Sequence, residues 1–372
     1  MYTFIATTIM GLESVLAKEL QSLGLQTTVL NTKVEFQGDF VDLFRANLWC
    51  RTAGRIYVKI ATFYATTFDE LFDGTYACDW PFWISKDDKF PVTKVSSRKS
   101  KLFSKSDSQA IVKKAISKKL QDSYKTQSLN ETNSLCPIRI QIENDEVTLS
   151  IDSSGEGLNK RGYRAHMSIA PIRETLAAGL LYLARWRPDQ DMLLDPFCGT
   201  GTLLIEAGLM AKNIAPGLNR SFISQKWKCV SEKDFNTAFE EAQDSINKDT
   251  NYRIYGSDIN YKVLSIANKN IQLAGLDSIY VQKRELQEIS SRFERGKIIT
   301  NPPYQERLDT PGYDSIEQLY QKMGEIFQSK FSEYNYGIIS DSEEFETFFG
   351  SKARKKRKLF NGGIQCRFYQ YF

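Results

Sequence analysis

Apolar positions change period several times along the 372 residues, and each change marks an element. Tyr2-Thr3-Phe4-Ile5-Ala6 alternates as a strand. Leu12, Val15, Leu16 and Leu20 then recur along one helical face, Gly24 punctuates that helix, and 29–36 resumes strand alternation. A helix over 40–48 and a strand over 55–60 complete a β-α-β-β-α-β order, the ferredoxin-like arrangement.

From Phe68 to about Ile151 a second small α+β unit is expected. It has a strand over 90–95, a helix over 110–120 capped by Asp107-Ser108-Gln109, and two strands over 138–142 and 146–151 around the turn Asn144-Asp145. The polar, glycine-containing stretch 152–157 marks a boundary. This unit concentrates Lys94, Arg98, Lys99, Lys101, Lys105, Lys113, Lys114, Lys118 and Lys119 against Asp107. A solvated helix face is the usual account of such a run. Cations in the preceding loop Arg98-Lys99-Ser100-Lys101 tip the balance towards phosphate contacts, which would position RNA without reading its sequence.

Lys160-Arg161-Gly162-Tyr163-Arg164-Ala165-His166 leads into a helix starting near Pro171, whose place suits a first helical turn. That loop could grip phosphate or cover a cofactor, or serve only as a solvated linker; His166 reads as a structural or solvent-facing residue rather than a catalyst. Strand 191–195, the turn Gly199-Thr200-Gly201 and an apolar helix then open a doubly wound sheet. The glycines lack both dinucleotide spacing and a Gly-Lys-Ser/Thr ending, and Asp195 suits a cationic ligand portion better than a pyrophosphate. After an insertion containing Ala215-Pro216-Gly217-Leu218, Asp258 closes the second strand, where an acid can accept both ribose hydroxyls. A third strand over 278–282 runs into Glu285, and a fourth over 297–300 runs into Asn301-Pro302-Pro303-Tyr304. Parallel crossovers bring Gly199, Asp258, Glu285 and Asn301 to one sheet edge. A helix over 316–327, a fifth strand over 336–340, a helix over 343–349 and a hairpin about Asn361-Gly362 make the sheet mixed.

The chemistry gathers at Asn301-Pro302-Pro303-Tyr304. Two prolines stiffen the loop and offer no N–H, so the Asn301 side-chain oxygen and the Pro302 carbonyl can accept from one exocyclic amino group and leave its lone pair free. Tyr304 adds a flat face for stacking. Composition narrows the field. Apolar content of 41% and charged content of 25% are those of an ordinary globular protein, and a net charge of +4 leaves nucleic-acid affinity to local patches. With His166 the one histidine and six scattered cysteines lacking Cys-x-x-Cys spacing, metal and imidazole chemistry are disfavoured. No apolar run reaches spanning length and the start lacks a secretory pattern, which points to the cytoplasm and away from membranes.

Together Asp195-Pro196-Phe197-Cys198-Gly199-Thr200-Gly201-Thr202, Ala215-Pro216-Gly217-Leu218, Asn301-Pro302-Pro303-Tyr304 and Lys160-Arg161-Gly162-Tyr163-Arg164 resemble the THUMP-domain RNA methyltransferases, in particular the group similar to the N-terminal methylase half of the bacterial 23S rRNA guanine-N2 methyltransferase. The resemblance implies an α/β fold: a Rossmann-like class I methyltransferase domain with a mixed seven-stranded sheet (159–372), preceded by α+β ferredoxin-like (1–64) and THUMP (65–158) domains. It implies S-adenosyl-L-methionine as cofactor. Asp195, Gly199 and Gly201 would line its methionine end with Phe197 among its contacts, Asp258 would hold the ribose, and Glu285 would lie near the adenine. The family more often has Asp at the Glu285 position. Asn301 and Pro302 would bind the target amine, with Asn301 also near the cofactor, and Tyr304 would stack the base. Arg98, Lys99, Lys101, Lys113, Lys114, Arg161 and Arg164 would touch RNA. Alternatives to guanine-N2 of 23S rRNA are tRNA guanine-N2, adenine-N6, or an assembly factor that binds RNA without turnover.

Overall fold

The computed structural model describes residues 1–164, 171–304 and 313–372; the expected role of His166 lies outside them. β1 (Tyr2–Thr8), α1 (Glu13–Ser22), β2 (Thr27–Leu30), β3 (Lys33–Gly38), α2 (Phe40–Trp49) and β4 (Ala53–Tyr64) come in the ferredoxin-like order. The second unit follows as α3 (Phe68–Tyr76), α4 (Trp80–Trp83), β5 (Val92–Arg98), α5 (Lys105–Tyr124), β6 (Ile138–Glu143) and β7 (Glu146–Asp152). Its long helix starts earlier than expected. Ser104, in extended conformation, accepts from the Asp107 N–H and is the cap, so Asp107-Ser108-Gln109 form the first turns.

The two units share one sheet. Its order is β2-β3-β1-β4-β7-β6-β5, because β4 is long enough to pair with β1 through one stretch and with β7 from Tyr57↔Asp152 to Tyr64↔Glu146. Their core is common too: Phe4, Ile56 and Val58 lie in one apolar cluster with Ile140, Leu149 and Val112.

The second half contains α6 (Glu174–Leu183), β8 (Leu193–Asp195), α7 (Thr202–Ala211), α8 (Glu232–Asp244), β9 (Ile254–Asp258), α9 (Tyr261–Leu273), β10 (Ile279–Lys283), β11 (Lys297–Thr300), α10 (Ile316–Lys330), β12 (Asn335–Ser340), α11 (Phe345–Phe349), β13 (Lys355–Asn361) and β14 (Ile364–Tyr371). Strand order β10-β9-β8-β11-β12-β14-β13, parallel from β10 to β12 with β14 antiparallel, is the mixed seven-stranded sheet expected. Pro171 precedes the Arg173 cap of α6 instead of sitting in its first turn. That turn opens on Glu174, whose carboxylate meets Arg164 Nε at 2.6 Å.

Residues 213–250, inserted after α7, fasten the halves together. Arg45 on α2 forks onto Glu241 of α8 at 2.6 and 2.7 Å, and Trp227 Nε1 donates to the Leu135 carbonyl. Gly217 N donates to the Leu48 carbonyl, and a Cβ at Gly217 would stand 2.7 Å from Leu48 Cα. Ala215-Pro216-Gly217-Leu218 is thus a docking strip on the end of α2, and its glycine is needed for close approach.

Candidate active site

Polar side chains close adjacent strands of the second sheet at one edge. Asp195 ends β8 almost wholly buried; its Oδ1 accepts from Thr300 Oγ1 at 2.6 Å and from Phe197 N at 3.1 Å. Thr300 is the last residue of β11, so this bond ties the strand of the glycine turn to the strand that runs into Asn301. Among the described residues both bonds fall on Oδ1, leaving Oδ2 to a ligand. Burial pushes the Asp195 carboxyl up to about 7 against the two donors, and the charge of Asp258 adds to the rise.

The turn beyond β8 needs its glycines. Gly199 and Gly201 have φ of +53° and +81°, and no atom lies within 4 Å of where a Cβ at Gly199 would stand. Gly199 N donates to Asp258 Oδ2 at 3.0 Å, bringing the two acids' loops together. Asn270, buried on α9, donates to the Thr200 carbonyl and holds the turn from behind. Open space at Gly199, with Asp258 bonded to its N–H and Asp195 at the end of the preceding strand, fits a ligand that carries an ammonium at one end and vicinal hydroxyls further along. A cavity of about 210 Å³ lies nearby on the α10 side of the sheet, lined by Leu194, Tyr255, Ser257, Arg284 and Phe293. Glu285, just past β10, is exposed and accepts from Gln287.

At the end of β11 the Asn301 side-chain oxygen accepts from the Tyr304 hydroxyl at 2.7 Å. That hydroxyl in turn accepts from Asn361 Nδ2 (3.2 Å) and Cys366 Sγ (3.5 Å) on the terminal hairpin. Tyr304 is therefore packed inward, 2% exposed, and its stacking face is turned into the protein. The Pro303 carbonyl accepts from Tyr320. These partners hold the loop in one shape from three directions. Asn270, expected from the sequence to face the core or the cofactor edge with core favoured, is buried and bonds the glycine turn; nothing in residue type singles out Thr300, Asn361 or Cys366, and the sequence reading missed them.

The RNA residues divide. Arg98, Lys99, Lys101 and Lys114 are exposed, and the loop before α5 is fixed by Asp145, which accepts from Ser100 Oγ and Lys101 N. Lys113 instead pairs with Glu131 at 2.6 Å, bonds the Phe90 carbonyl and lies over the Phe90 ring. Arg161 is buried against Glu206 at 3.3 Å and also bonds the carbonyls of Leu158 and Arg51, while Tyr163 donates to the same carboxylate. Arg164 is mostly buried between Glu174, the Ile172 carbonyl and Thr202 Oγ1. Arg161 and Arg164 are thus committed inside, and Lys113, though a third exposed, is tied to Glu131 and the Phe90 carbonyl.

Comparison with known proteins agrees with this architecture. Residues 161–370 match the family model described as RMKL-like, methyltransferase domain; residues 3–57 match the RlmL ferredoxin-like domain and 65–152 the THUMP domain. The chain is 44% identical over 374 residues to YpsC of Bacillus subtilis (strain 168), named there as a candidate RNA methyltransferase, with 100% of this chain and 96% of the relative covered. It is 32% identical over 382 residues to ribosomal RNA large subunit methyltransferase K/L of Desulfotalea psychrophila, covering 98% of this chain and 52% of the relative. It thus spans about half the length of that second relative. The solved structure of SMU.472, a candidate methyltransferase complexed with SAH, superposes with a TM-score of 0.93 at 38% identity, over 100% of this chain and 98% of that one. The chain belongs to the RMKL-like methyltransferase-domain family, S-adenosyl-L-methionine-dependent enzymes, with an RlmL-type ferredoxin-like domain and a THUMP domain ahead of its catalytic half.

Proposed function

We propose that this chain methylates the exocyclic N2 of a guanine in 23S rRNA, in the cytoplasm. The observation that carries the reading is the Thr300–Asp195 bond, which couples the acid beside the glycine turn to the strand that presents Asn301. The K/L relative's printed name supports large-subunit rRNA as the substrate. Bound S-adenosyl-L-methionine supplies an electrophilic methyl on a positive sulfonium. Asp195 Oδ2 would receive the ammonium of its amino-acid end and Asp258 its ribose hydroxyls. Asn301 Oδ1 and the Pro302 carbonyl accept the two N–H bonds of the target amine and aim its lone pair. For that, the Tyr304 hydroxyl must give up Asn301. The base itself comes from an unpaired nucleotide or is flipped from its stack.

Cofactor affinity should rise with pH between 6 and 8. The unliganded Asp195 carboxyl sits near 7, so below that pH it is neutral and gives up its attraction for the ammonium. Binding at pH 6 must therefore expel a proton that binding at pH 8 need not. Calorimetry in buffers of differing ionisation enthalpy reads this directly. Asp195→Asn should weaken binding about tenfold at pH 8 and flatten the profile; a wild-type affinity level across the range would contradict the role.

The function itself is tested with labelled S-adenosyl-L-methionine, rRNA and tRNA from a strain lacking the protein, and nucleoside analysis. Label in N2-methylguanosine of large-subunit rRNA supports the reading. Label in tRNA or on adenosine moves the substrate, and cofactor binding with no transfer favours an assembly factor.

A further inference from the structure

We propose that the helix-free face of the N-terminal seven-stranded sheet is a groove for the RNA backbone, with Lys33, Lys59, Lys94 and Arg139 set to meet its phosphates. The inference rests on the RNA reading above and adds a second surface beside the exposed loop before α5.

Strand alternation puts these cations on one face. Val34, Val58, Ile138 and Ile140 are buried in the N-terminal core, and Val95, opposite Ile140, packs against it after a bulge between Val92 and Lys94 resets β5; their neighbours Lys33, Lys59, Lys94 and Arg139 therefore project the other way. Lys94 and Arg139 are opposite each other in the β5–β6 register, and the Arg139 guanidinium lies 4.8 Å above the Tyr57 ring of β4. This face is not a scatter of freely hydrated charges. The Lys33 side chain is only 14% exposed, and burial pulls its ammonium down from the usual range, helped by the charges of Arg139 and Lys59 and opposed by Glu35 and Glu143. Lys94 is pulled down in the same way, by burial and then by Arg139 and Arg55. Lys33 and Lys59 meet at Glu35, and Arg139, opposite Lys94, reaches across β7 to the ring of Tyr57 on β4, so cations from four strands lie on this one face.

The negative partners on this face are largely spent. Glu35 is shared between Lys33 (3.8 Å) and Lys59 (3.1 Å), Asp152 is taken by Arg55, and Glu143 lies 4.0 Å from Arg98. Among the described residues no carboxylate pairs with Lys94 or Arg139, and Arg139 Nε is buried without a hydrogen-bond partner. Bringing like charges together in partly desolvated positions costs free energy that an anion would recover. Because the cations are spread over β3, β4, β5 and β6 and not gathered at a point, the matching anion is a chain of phosphates.

The test is RNA binding across a salt series, by fluorescence anisotropy with a transcript of large-subunit rRNA, for Lys94→Gln, Arg139→Gln and the pair. Each lost phosphate contact should lower the slope of log affinity against log salt by roughly 0.7–0.9. The pair should bind about tenfold or more weakly at 100 mM salt, with cofactor affinity unchanged. Circular dichroism checks folding, and Lys94→Gln, at an exposed position, serves if Arg139→Gln unfolds. Unchanged slope and affinity in folded variants would overturn the groove, as would loss confined to Lys101→Gln and Lys114→Gln. Because binding is read without turnover, a wild type that binds RNA through Lys94 and Arg139 yet methylates none keeps the groove and removes only the methylation reading.

Discussion

Asn301→Ala should lower methyl transfer at saturating cofactor and RNA by about 10²–10³-fold, with cofactor affinity changed far less. In the proposed mechanism the asparagine oxygen acts on the amine only as the new N–C bond forms, so its loss would fall on kcat, as with removal of a single preorganised hydrogen-bonding group elsewhere. Single-turnover methyl transfer measures the effect, and equal losses in kcat and cofactor affinity would mean that Asn301 merely supports the cofactor. Tyr304 sharpens the test. Its hydroxyl occupies Asn301, whereas its ring is packed in the core behind the loop. Tyr304→Phe removes the competitor and keeps the ring, so its loss should stay below about tenfold; Tyr304→Ala should approach the asparagine variant.

The second large effect is on stability. Arg161→Ala should cost about 3–5 kcal/mol by urea unfolding, because Glu206 would be left charged and fully buried with Tyr163 alone donating to it. The paired change Arg161→Met with Glu206→Leu should recover much of that loss. RNA affinity of the folded fraction should keep its salt slope, since the guanidinium reaches carbonyls of Leu158 and Arg51 and not solvent. A slope reduced by about one would return Arg161 to the RNA surface.

Local pattern carried the element order, because strand alternation and helical recurrence are written in neighbouring residues. The positions of Asp195, Asp258 and Asn301 were legible for a related reason: each follows an apolar run, and parallel strands joined by crossovers end at one edge. What escaped depends on residues distant in sequence. The β4–β7 pairing joins positions roughly ninety apart, and no periodicity in either strand announces it. Lys113 and Arg161 read as surface cations because their partners Glu131 and Glu206 are 18 and 45 residues away. Thr300 looked like an ordinary β-branched strand residue until Asp195 came within 2.6 Å. At α5 the error was small and local: Ser104 and Asp107 are both good caps, and three residues separate them.

The shared sheet and the clasp of residues 213–250 have a further consequence, for how a target is chosen. A shorter insertion would have let the front half swing on a linker and sample many offsets from the catalytic edge. Here Arg45 grips Glu241, Gly217 abuts Leu48 and Arg357 reaches the Gly11 carbonyl, so the offset is fixed at three separate places. The molecule then works as a caliper. On the function proposed above, an RNA seated on the front half would present Asn301 with whichever nucleotide lies one set distance along its fold, and selection would become a matter of length and shape, with little need to read bases.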